Sequence, residues 1–244
     1  MKIAALSDIH GNLAALNAVL DDIRRQGADV IVNLGDILSG PLHASETADL
    51  LIPLAWPTIK GNHERQLLDT DPTRMGASDR FAHATLRSDQ FAWLHALPAT
   101  LQLDDDVLLV HGTPQDDLTY FLDTVTSNGC RTATHDEVRR RAGDTDAALI
   151  LCGHTHLQRS MKLADGRLVV NPGSVGLQAY EDERPFPHRM EMGSPHARYA
   201  NVTRTALGWD VEFRSVAYDW STAANLAAAN GRPEWAVALR TGHC

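Results

Sequence analysis

The sequence predicts an α/β fold, because short apolar runs of strand length alternate with longer segments whose apolar residues recur every three or four positions. The 244 residues are enough to bury a full core, and 43% of them are hydrophobic, as in an ordinary globular protein. No internal repeat, low-complexity segment or linker divides the chain. We therefore expect one domain over residues 1–244, with a C-terminal hairpin and helices in 198–244 packed on it.

The first predicted elements are a strand and a helix joined by a polar loop. Residues 3–7 form an apolar run, and the apolar residues of 13–23 lie on one helical face. Asn12 is suited to cap the start of that helix, and Gly27 is suited to end it.

Further strands are predicted where short apolar or β-branched runs end at turn residues. Their ranges are 30–34, 58–60, 100–103, 107–110, 148–152, 159–163, 167–171, 199–203 and 211–216. Asp165-Gly166 is a strong signal for a two-residue hairpin between two of them. Further helices are predicted over 44–52, through most of 65–97, over 137–142 and in one or two segments after Ser221.

One segment lacks any periodic pattern. Residues 181–197 are rich in proline, charge and histidine, and they predict a long loop. In such a loop we expect His188 and Arg189 to face solvent.

The composition argues against several classes of function. A formal net charge of −9 disfavours a broad basic surface for extended nucleic acid. The three cysteines, Cys130, Cys152 and Cys244, are far apart and odd in number, which favours a reducing compartment without disulfides. Neither a signal-peptide hydrophobic region nor a bilayer-spanning run is present in the sequence. We expect a cytoplasmic protein without membrane partners, and the sequence leaves its oligomeric state open.

Polar residues follow five of the predicted strands where each apolar run ends. They stand in the segments Ser7-Asp8-Ile9-His10, Gly35-Asp36, Gly61-Asn62-His63, His111-Gly112 and Gly153-His154-Thr155-His156. Ligands of open α/β sheets bind beyond the carboxyl ends of the strands. One such residue often caps the next helix, but five strand ends that all carry Asp, Asn or His indicate a shared site. These ligand types suit manganese, iron, zinc or cobalt better than calcium or a thiolate-bound metal.

In their order, these segments together with Glu64 resemble the motif set of the calcineurin-like metallophosphoesterases, over residues 8–156. Asn171-Pro172-Gly173-Ser174 also resembles the small bacterial and archaeal phosphodiesterase branch of that family. The resemblance implies a four-layer α/β/β/α sandwich of two mixed sheets. It also implies two divalent transition-metal ions, with manganese expected first and iron, zinc, cobalt or nickel as alternatives.

The resemblance further implies roles for individual side chains. Asp8, His10 and His156 would bind the first metal, Asn62, His111 and His154 would bind the second, and Asp36 would bridge them. His63 would face the leaving group, where an imidazolium can protonate the departing oxygen or stabilise its charge. The role of Glu64 stays open, because the helix dipole also favours an acid in a first turn.

The resulting hypothesis is a binuclear phosphodiesterase that hydrolyses a small or nucleotide-like phosphodiester with a metal-bridging hydroxide. The alternatives are a phosphomonoesterase or nucleotidase, and a non-catalytic metal-binding scaffold, which the complete ligand set and His63 argue against. Protein phosphatases and dinucleoside tetraphosphatases carry a Gly-Asp-x-x-x-Arg-Gly pattern, whereas residues 35–41 of this chain contain no arginine. The acidic balance disfavours a nuclease.

Overall fold

The computed structural model describes all residues from Met1 to Cys244 and contains thirteen strands and eight α-helices. The strands are β1 (Lys2–Leu6), β2 (Val30–Asn33), β3 (Leu101–Asp104), β4 (Val107–Leu109), β5 (Asp123–Thr126), β6 (Gly129–Thr132), β7 (Leu149–Leu151), β8 (Gln158–Lys162), β9 (Leu168–Pro172), β10 (Ala179–Asp182), β11 (His188–Glu191), β12 (Ala197–Thr205) and β13 (Gly208–Val216). The helices are α1 (Leu13–Gln26), α2 (Ala44–Leu51), α3 (Asn62–Asp69), α4 (Ala77–Thr85), α5 (Ser88–Ala96), α6 (His135–Ala142), α7 (Trp220–Ala229) and α8 (Pro233–Thr241). A short 3-10 helix covers Ile52–Leu54.

Two mixed sheets form the centre of the structure. The four-stranded sheet has the order β13-β12-β1-β2, with β1 parallel to β2 and antiparallel to β12. The five-stranded sheet has the order β3-β4-β7-β9-β8, and β4, β7 and β9 are parallel to one another. Two separate hairpins, β5-β6 and β10-β11, lie outside these sheets. The predicted fold class is confirmed.

Three apolar layers hold the sandwich together. The middle layer joins both sheets and includes Ile3 from β1 and Leu149 from β7. Because successive strand residues point to opposite faces, Ala4 lies in the next layer, where α1 and α2 cover the four-stranded sheet. On the far side, Val138 of α6 packs with Ile150 against the five-stranded sheet. These contacts fix both sheets relative to each other and bring their strand ends to one edge.

The helices begin and end where local chemistry favours it. Asn12 caps α1 as predicted, because its Oδ1 accepts a hydrogen bond of 3.1 Å from the Ala15 amide, and Gly27 follows the last turn with a φ of 70°. Helix α3 begins at Asn62, three residues before the predicted helical segment, because Glu64 accepts the amide of Gly61 and closes the first turn. At 14 residues α1 is the longest helix, and no helix combines the length and apolarity that a bilayer crossing requires.

The prediction of a long loop over 181–197 is wrong. The segment contains most of the hairpin β10-β11, which pairs in antiparallel register. On β11 His188 and Met190 are buried and Arg189 between them is exposed, so His188 does not face solvent as predicted. An alternation of only four residues is hard to see among prolines and charges, which explains the error.

Two smaller differences concern short strands. Residues 58–60 make only an isolated parallel bridge between Thr58 and Asn33. The hairpin β5-β6 was not predicted, although Asn128-Gly129 at its turn is a known hairpin signal.

Candidate active site

The loops that follow parallel strands of both sheets open into one cleft of about 940 Å³. Strands β1 and β2 end there in one sheet, and β4 and β7 end there in the other. The predicted site residues that line this cleft are His10, Asp36, Asn62, His63, His154 and His156. The remaining two, Asp8 and His111, are buried, with relative exposures of 0% and 1%. The structure therefore brings all eight to one place.

A first group consists of Asp8, His10 and His156, whose ligand atoms all lie within 4.8 Å of one another. The Nδ1 atom of His10 lies 2.7 Å from the carbonyl oxygen of Ser39, and Nδ1 of His156 lies 2.7 Å from that of Leu177. A carbonyl only accepts, so each Nδ1 carries the proton and each Nε2 turns its lone pair towards the group.

A second group consists of Asp36, His111 and His154, again with ligand atoms within 4.8 Å of one another. Nδ1 of His111 donates to the carbonyl oxygen of Leu34 at 2.8 Å. Its Nε2 lies 3.1 Å from Oδ2 of Asp36 and 3.2 Å from Oδ1 of Asn62. The ring of His154 is oriented the other way, with Nε2 at 3.1 Å from the carbonyl oxygen of Leu118, which leaves Nδ1 for the group.

Five of these side chains stand on backbone that favours glycine. The φ angles are 55° at Asp8, 52° at His10, 53° at Asp36, 71° at His154 and 60° at His156. For residues with a Cβ such left-handed conformations cost about 1–3 kcal/mol each and persist only where the surroundings impose them. Sharp left-handed turns let alternate residues after one strand point into the same cleft.

The loop after β1 is fixed by the chain that follows β9. Ser174 donates from its hydroxyl to the carbonyl oxygen of Asp8 at 2.8 Å, and the Gly176 amide donates to the same oxygen at 2.9 Å. Asn171 donates at 2.5 Å to the carbonyl oxygen of Gly153, the residue that directly precedes His154 in the sequence. The segment Asn171-Pro172-Gly173-Ser174 thus positions two of the site loops.

The side chain of Glu64 links the loop after β2 to the start of α3. Its side chain is 0% exposed and accepts backbone hydrogen bonds of 2.8 Å from Asp36, 2.8 Å from Ile37 and 2.9 Å from Gly61. Burial and the nearby Asp36 charge raise the pKa of this carboxyl, and the amides of Gly61 and Ile37 oppose that rise. Gly61 has no room for a side chain, since a Cβ there would overlap the Asp36 carboxylate.

His63 is held by a carboxylate that the sequence analysis missed. Its Nδ1 lies 2.7 Å from Oδ1 of Asp79 in α4, and Ser39 donates to the same oxygen at 2.6 Å. Burial disfavours the imidazolium, but the negative charges of Asp36 and Asp79 outweigh it and raise the pKa of His63 to about 9. The two carboxylates therefore favour the imidazolium form of His63, and its Nε2 is free of the Asp79 contact.

Two tyrosines that were also missed form the opposite wall. The hydroxyls of Tyr120 and Tyr180 lie 2.7 Å apart, and the Tyr120 hydroxyl lies 2.9 Å from Nε2 of His188. Tyr180 donates to the carbonyl oxygen of His154 at 3.1 Å, and its ring lies 4.7 Å from that of His156. Burial raises the pKa of both phenols, so they remain neutral. The hairpin β10-β11 thus supplies one side of the cleft.

The donor set fits cations. Oδ1 of Asp8 is buried without a hydrogen-bond partner. Nε2 of His156 lies 3.4 Å from this oxygen but has no proton to donate, because the ring carries its proton on Nδ1. The Nε2 atoms of His10 and His156 lie only 3.1 Å apart. Lone pairs that face one another in a buried space are unfavourable unless a cation stands between them. In the second group, burial opposes protonation but Asp36 and Asp8 raise the pKa of His111 to about 10, so these carboxylates attract positive charge.

The chain is similar to known proteins over its length. The sequence model of the calcineurin-like phosphoesterase superfamily domain matches residues 1–186. An uncharacterised protein of Methanocaldococcus jannaschii is 27% identical over 247 residues, which cover 96% of this chain and 94% of the relative. A metallophosphoesterase from Sphaerobacter thermophilus is 25% identical, with a TM-score of 0.74 over 98% of both chains. A hypothetical protein of Pyrococcus horikoshii shares the fold at 19% identity, with a TM-score of 0.74 over 99% of this chain and 98% of that one.

The buried position of Glu64 leads to a testable prediction. In Glu64→Gln the amide group replaces one acceptor oxygen and points a donor at backbone N–H groups, so the free energy of unfolding falls by about 1–3 kcal/mol. Urea denaturation measures this loss. The control is Glu46→Gln, which changes an exposed acid in the first turn of α2 and shifts stability by no more than about 0.5 kcal/mol. Equal effects of the two substitutions would contradict the role of Glu64.

Proposed function

The chain belongs to the calcineurin-like phosphoesterase superfamily, and we propose that it is a phosphodiesterase that acts with two divalent metal ions on a small or nucleotide-like substrate. The observation that carries the proposal is the pair of His/Asp groups at the base of one cleft, each with three converging ligand atoms. The presence of His63, held by Asp79 beside these groups, favours a catalytic role over that of a metal-binding scaffold.

We assign the ligands according to these groups. Asp8, His10 and His156 would hold the first ion, and Asp36, His111 and His154 would hold the second together with Asn62. The family resemblance implies that Asp36 would also serve the first ion. When bound, the two ions polarise the phosphoryl oxygens and lower the pKa of water so that it attacks at neutral pH. Manganese is the ion we test first, because the site combines carboxylate, amide and imidazole ligands without a thiolate.

His63 acts on the leaving group in this proposal. Attack by water forms one P–O bond and releases a proton to solvent, while the bond to the leaving oxygen breaks and that oxygen takes a proton from Nε2 of His63. Asp79 holds the ring through Nδ1 and keeps it protonated. Once the proton is lost, solvent restores it, since the side chain of His63 is 28% exposed.

A diester is favoured because neither of the two cations that flank Asn62 and His63 in the sequence is available to the ligand groups. Arg65, which follows the Asn62 motif, is bound on both sides of its guanidinium by Asp117, at 2.7 and 2.8 Å. Lys60, which precedes the motif, is not among the residues that line the cleft. A diester carries one negative charge on the reacting phosphate, and two metal ions are enough to neutralise it.

The metal assignment predicts two ions per chain at saturating manganese, measured by plasma mass spectrometry after gel filtration. Asp36→Asn lowers the occupancy of both sites, whereas His10→Ala removes mainly one ion. His43→Ala, which changes an exposed histidine before α2, keeps two and serves as the control. One ion per chain in the intact, saturated protein would contradict the binuclear assignment.

The role of His63 predicts that His63→Ala keeps both ions but lowers kcat/KM by about 10²- to 10⁴-fold for an alkyl ester. The loss is smaller for a p-nitrophenyl ester, because that leaving group departs without a proton.

Proton donation by His63 also predicts how the activity depends on pH, and Asp79 sets the pH at which it changes. Activity falls as the pH rises through the pKa of His63, because only the protonated ring donates. Asp79→Asn removes a negative charge that stabilises the imidazolium, so this limb of the pH–rate profile moves to lower pH by about one unit. Equal losses for both esters, or an unmoved limb, would show that His63 acts otherwise.

The substrate class predicts a higher kcat/KM for bis-p-nitrophenyl phosphate than for p-nitrophenyl phosphate at the same metal and pH. Both share one leaving group, so the comparison tests the charge of the reacting phosphate. A clear preference for the monoester, repeated with nucleotides, would support a phosphomonoesterase. No turnover of either ester with both metals bound would support the scaffold.

A further inference from the structure

One part of the cleft is built from outside the motif loops. The start of α8 contributes Arg232 and Trp235 to its lining, and these residues lie beyond the 1–186 segment that matches the family. No sequence motif marks either residue. Their place beside the candidate metal ligands therefore comes only from the fold.

Trp235 fixes α8 against the first ligand group. Its ring is buried and lies 5.8 Å from the ring of His10. Gly40 leaves room for it, since a Cβ there would come within 2.9 Å of the tryptophan and 2.5 Å of the His10 carbonyl oxygen. The position of residue 232 relative to the site is thus set by packing.

Arg232 is held in place yet keeps donors free. Its Nη1 donates to the Ser78 hydroxyl at 2.7 Å, its Nε donates to Glu234, and the guanidinium carbon lies 5.5 Å from the Trp235 ring centre. Its side chain is 19% exposed, and Nη2 has no hydrogen-bond partner in the chain. A guanidinium edge with free N–H groups is a good binding site for a phosphate or carboxylate oxygen.

The position of Arg232 is on the same side of the cleft as His63. Ser78, which anchors Arg232, is followed in the chain by Asp79, which anchors His63. Both side chains also line a second cavity of about 510 Å³, whose lining includes none of the candidate ligands. A leaving group placed beside His63 would therefore have Arg232 on the same side of the cleft.

The other arginines of the cleft are not equivalent. Arg141 donates from Nη1 to the carbonyl oxygens of Phe121 and Asp123 and from Nη2 to the hydroxyl of Thr124. Arg184 stands on the exposed turn between β10 and β11. Arg232 alone among the three is both anchored beside His63 and equipped with a free edge.

We propose that Arg232 binds an oxyanion carried by the leaving group, so that the preferred substrates are phosphoesters whose departing alcohol bears a further phosphate or carboxylate. This inference rests on the proposed function for the direction of the leaving group. It gives the cleft a specificity that the motif residues do not supply.

The test compares diesters that differ only in the leaving group. Methyl 4-carboxyphenyl phosphate has a charged leaving group, and methyl 4-carbamoylphenyl phosphate is its neutral counterpart. In the wild-type protein kcat/KM is higher for the charged ester. Arg232→Ala lowers the charged-to-neutral ratio about tenfold or more, and Arg232→Lys lowers it less, since it keeps the charge but loses the planar fork. A phosphate in place of the carboxylate tests which oxyanion is preferred.

Two matched variants separate this role from packing and from general charge. Arg240→Ala removes an exposed arginine near the end of the same helix, and Arg184→Ala removes the exposed arginine of the cleft. Both leave the ratio unchanged. An unchanged ratio in Arg232→Ala, or an equal loss with both esters, would overturn the proposal, because Arg232 would then not contact the leaving group's charge.

Binding is measured separately so that turnover does not decide the question alone. Phosphonate analogues of both esters, in which a methylene replaces the leaving oxygen, are titrated by calorimetry into the manganese-loaded protein. Tighter binding of the charged analogue that is lost in Arg232→Ala supports the proposal even if no ester is hydrolysed, in which case only the proposed function fails. Hydrolysis without any Arg232-dependent discrimination overturns the inference and leaves the function. No binding of either analogue contradicts both.

Discussion

The left-handed backbone at the strand ends is the constraint on which the rest of the structure depends. Asp8, His10, Asp36, His154 and His156 all adopt it, and none is a glycine. Together the five positions cost about as much as the roughly 5–15 kcal/mol by which a domain is stable, so the surrounding fold must impose them. The turns are mutually bound: the amide of Asp8 donates to the carbonyl oxygen of Gly35 and that of His10 to the carbonyl oxygen of Asp36, both at 3.0 Å. The loops of β1 and β2 therefore hold each other in shape before any ion is considered.

The cleft above these loops has two unlike sides. On one side Arg232 carries a positive charge, His63 is held by a carboxylate that favours its imidazolium form, and both side chains are anchored by adjacent residues of α4. On the other, Tyr120 and Tyr180 are neutral, share a hydrogen bond and lie against the candidate ligands His154 and His156. The positive side suits a group on which negative charge develops, whereas the aromatic side suits a part of the substrate that stays uncharged. The fold thus gives the cleft one charged side and one neutral, aromatic side.

Much of the fold and of the candidate site could be predicted from the sequence, because strand-end polar residues repeat one local pattern. The fold class was confirmed, and all the residues singled out at the strand ends meet at one edge. The residues that the sequence did not predict contact the site from other parts of the chain. Asp79 reaches His63 from another helix, and Arg232 arrives from the far end of the chain. The prediction that His188 faces solvent is wrong because the burial of this side chain depends on the pairing of β11 with β10 and on the hydroxyl of Tyr120. Local periodicity carries no information about such partners.

The pairing of β1 has a consequence for the order in which the protein forms during synthesis. Strand β1 precedes its antiparallel partner β12 by most of the chain, with Lys2 opposite Thr203. Pairings between such distant segments are the slow ones in folding, and here the partner strand is also made late. The loop that carries Asp8 and His10 contacts the loop after β2, but the strand on the other side of β1 is made only after every other candidate ligand. The candidate ligands therefore come together late, when the four-stranded sheet is complete.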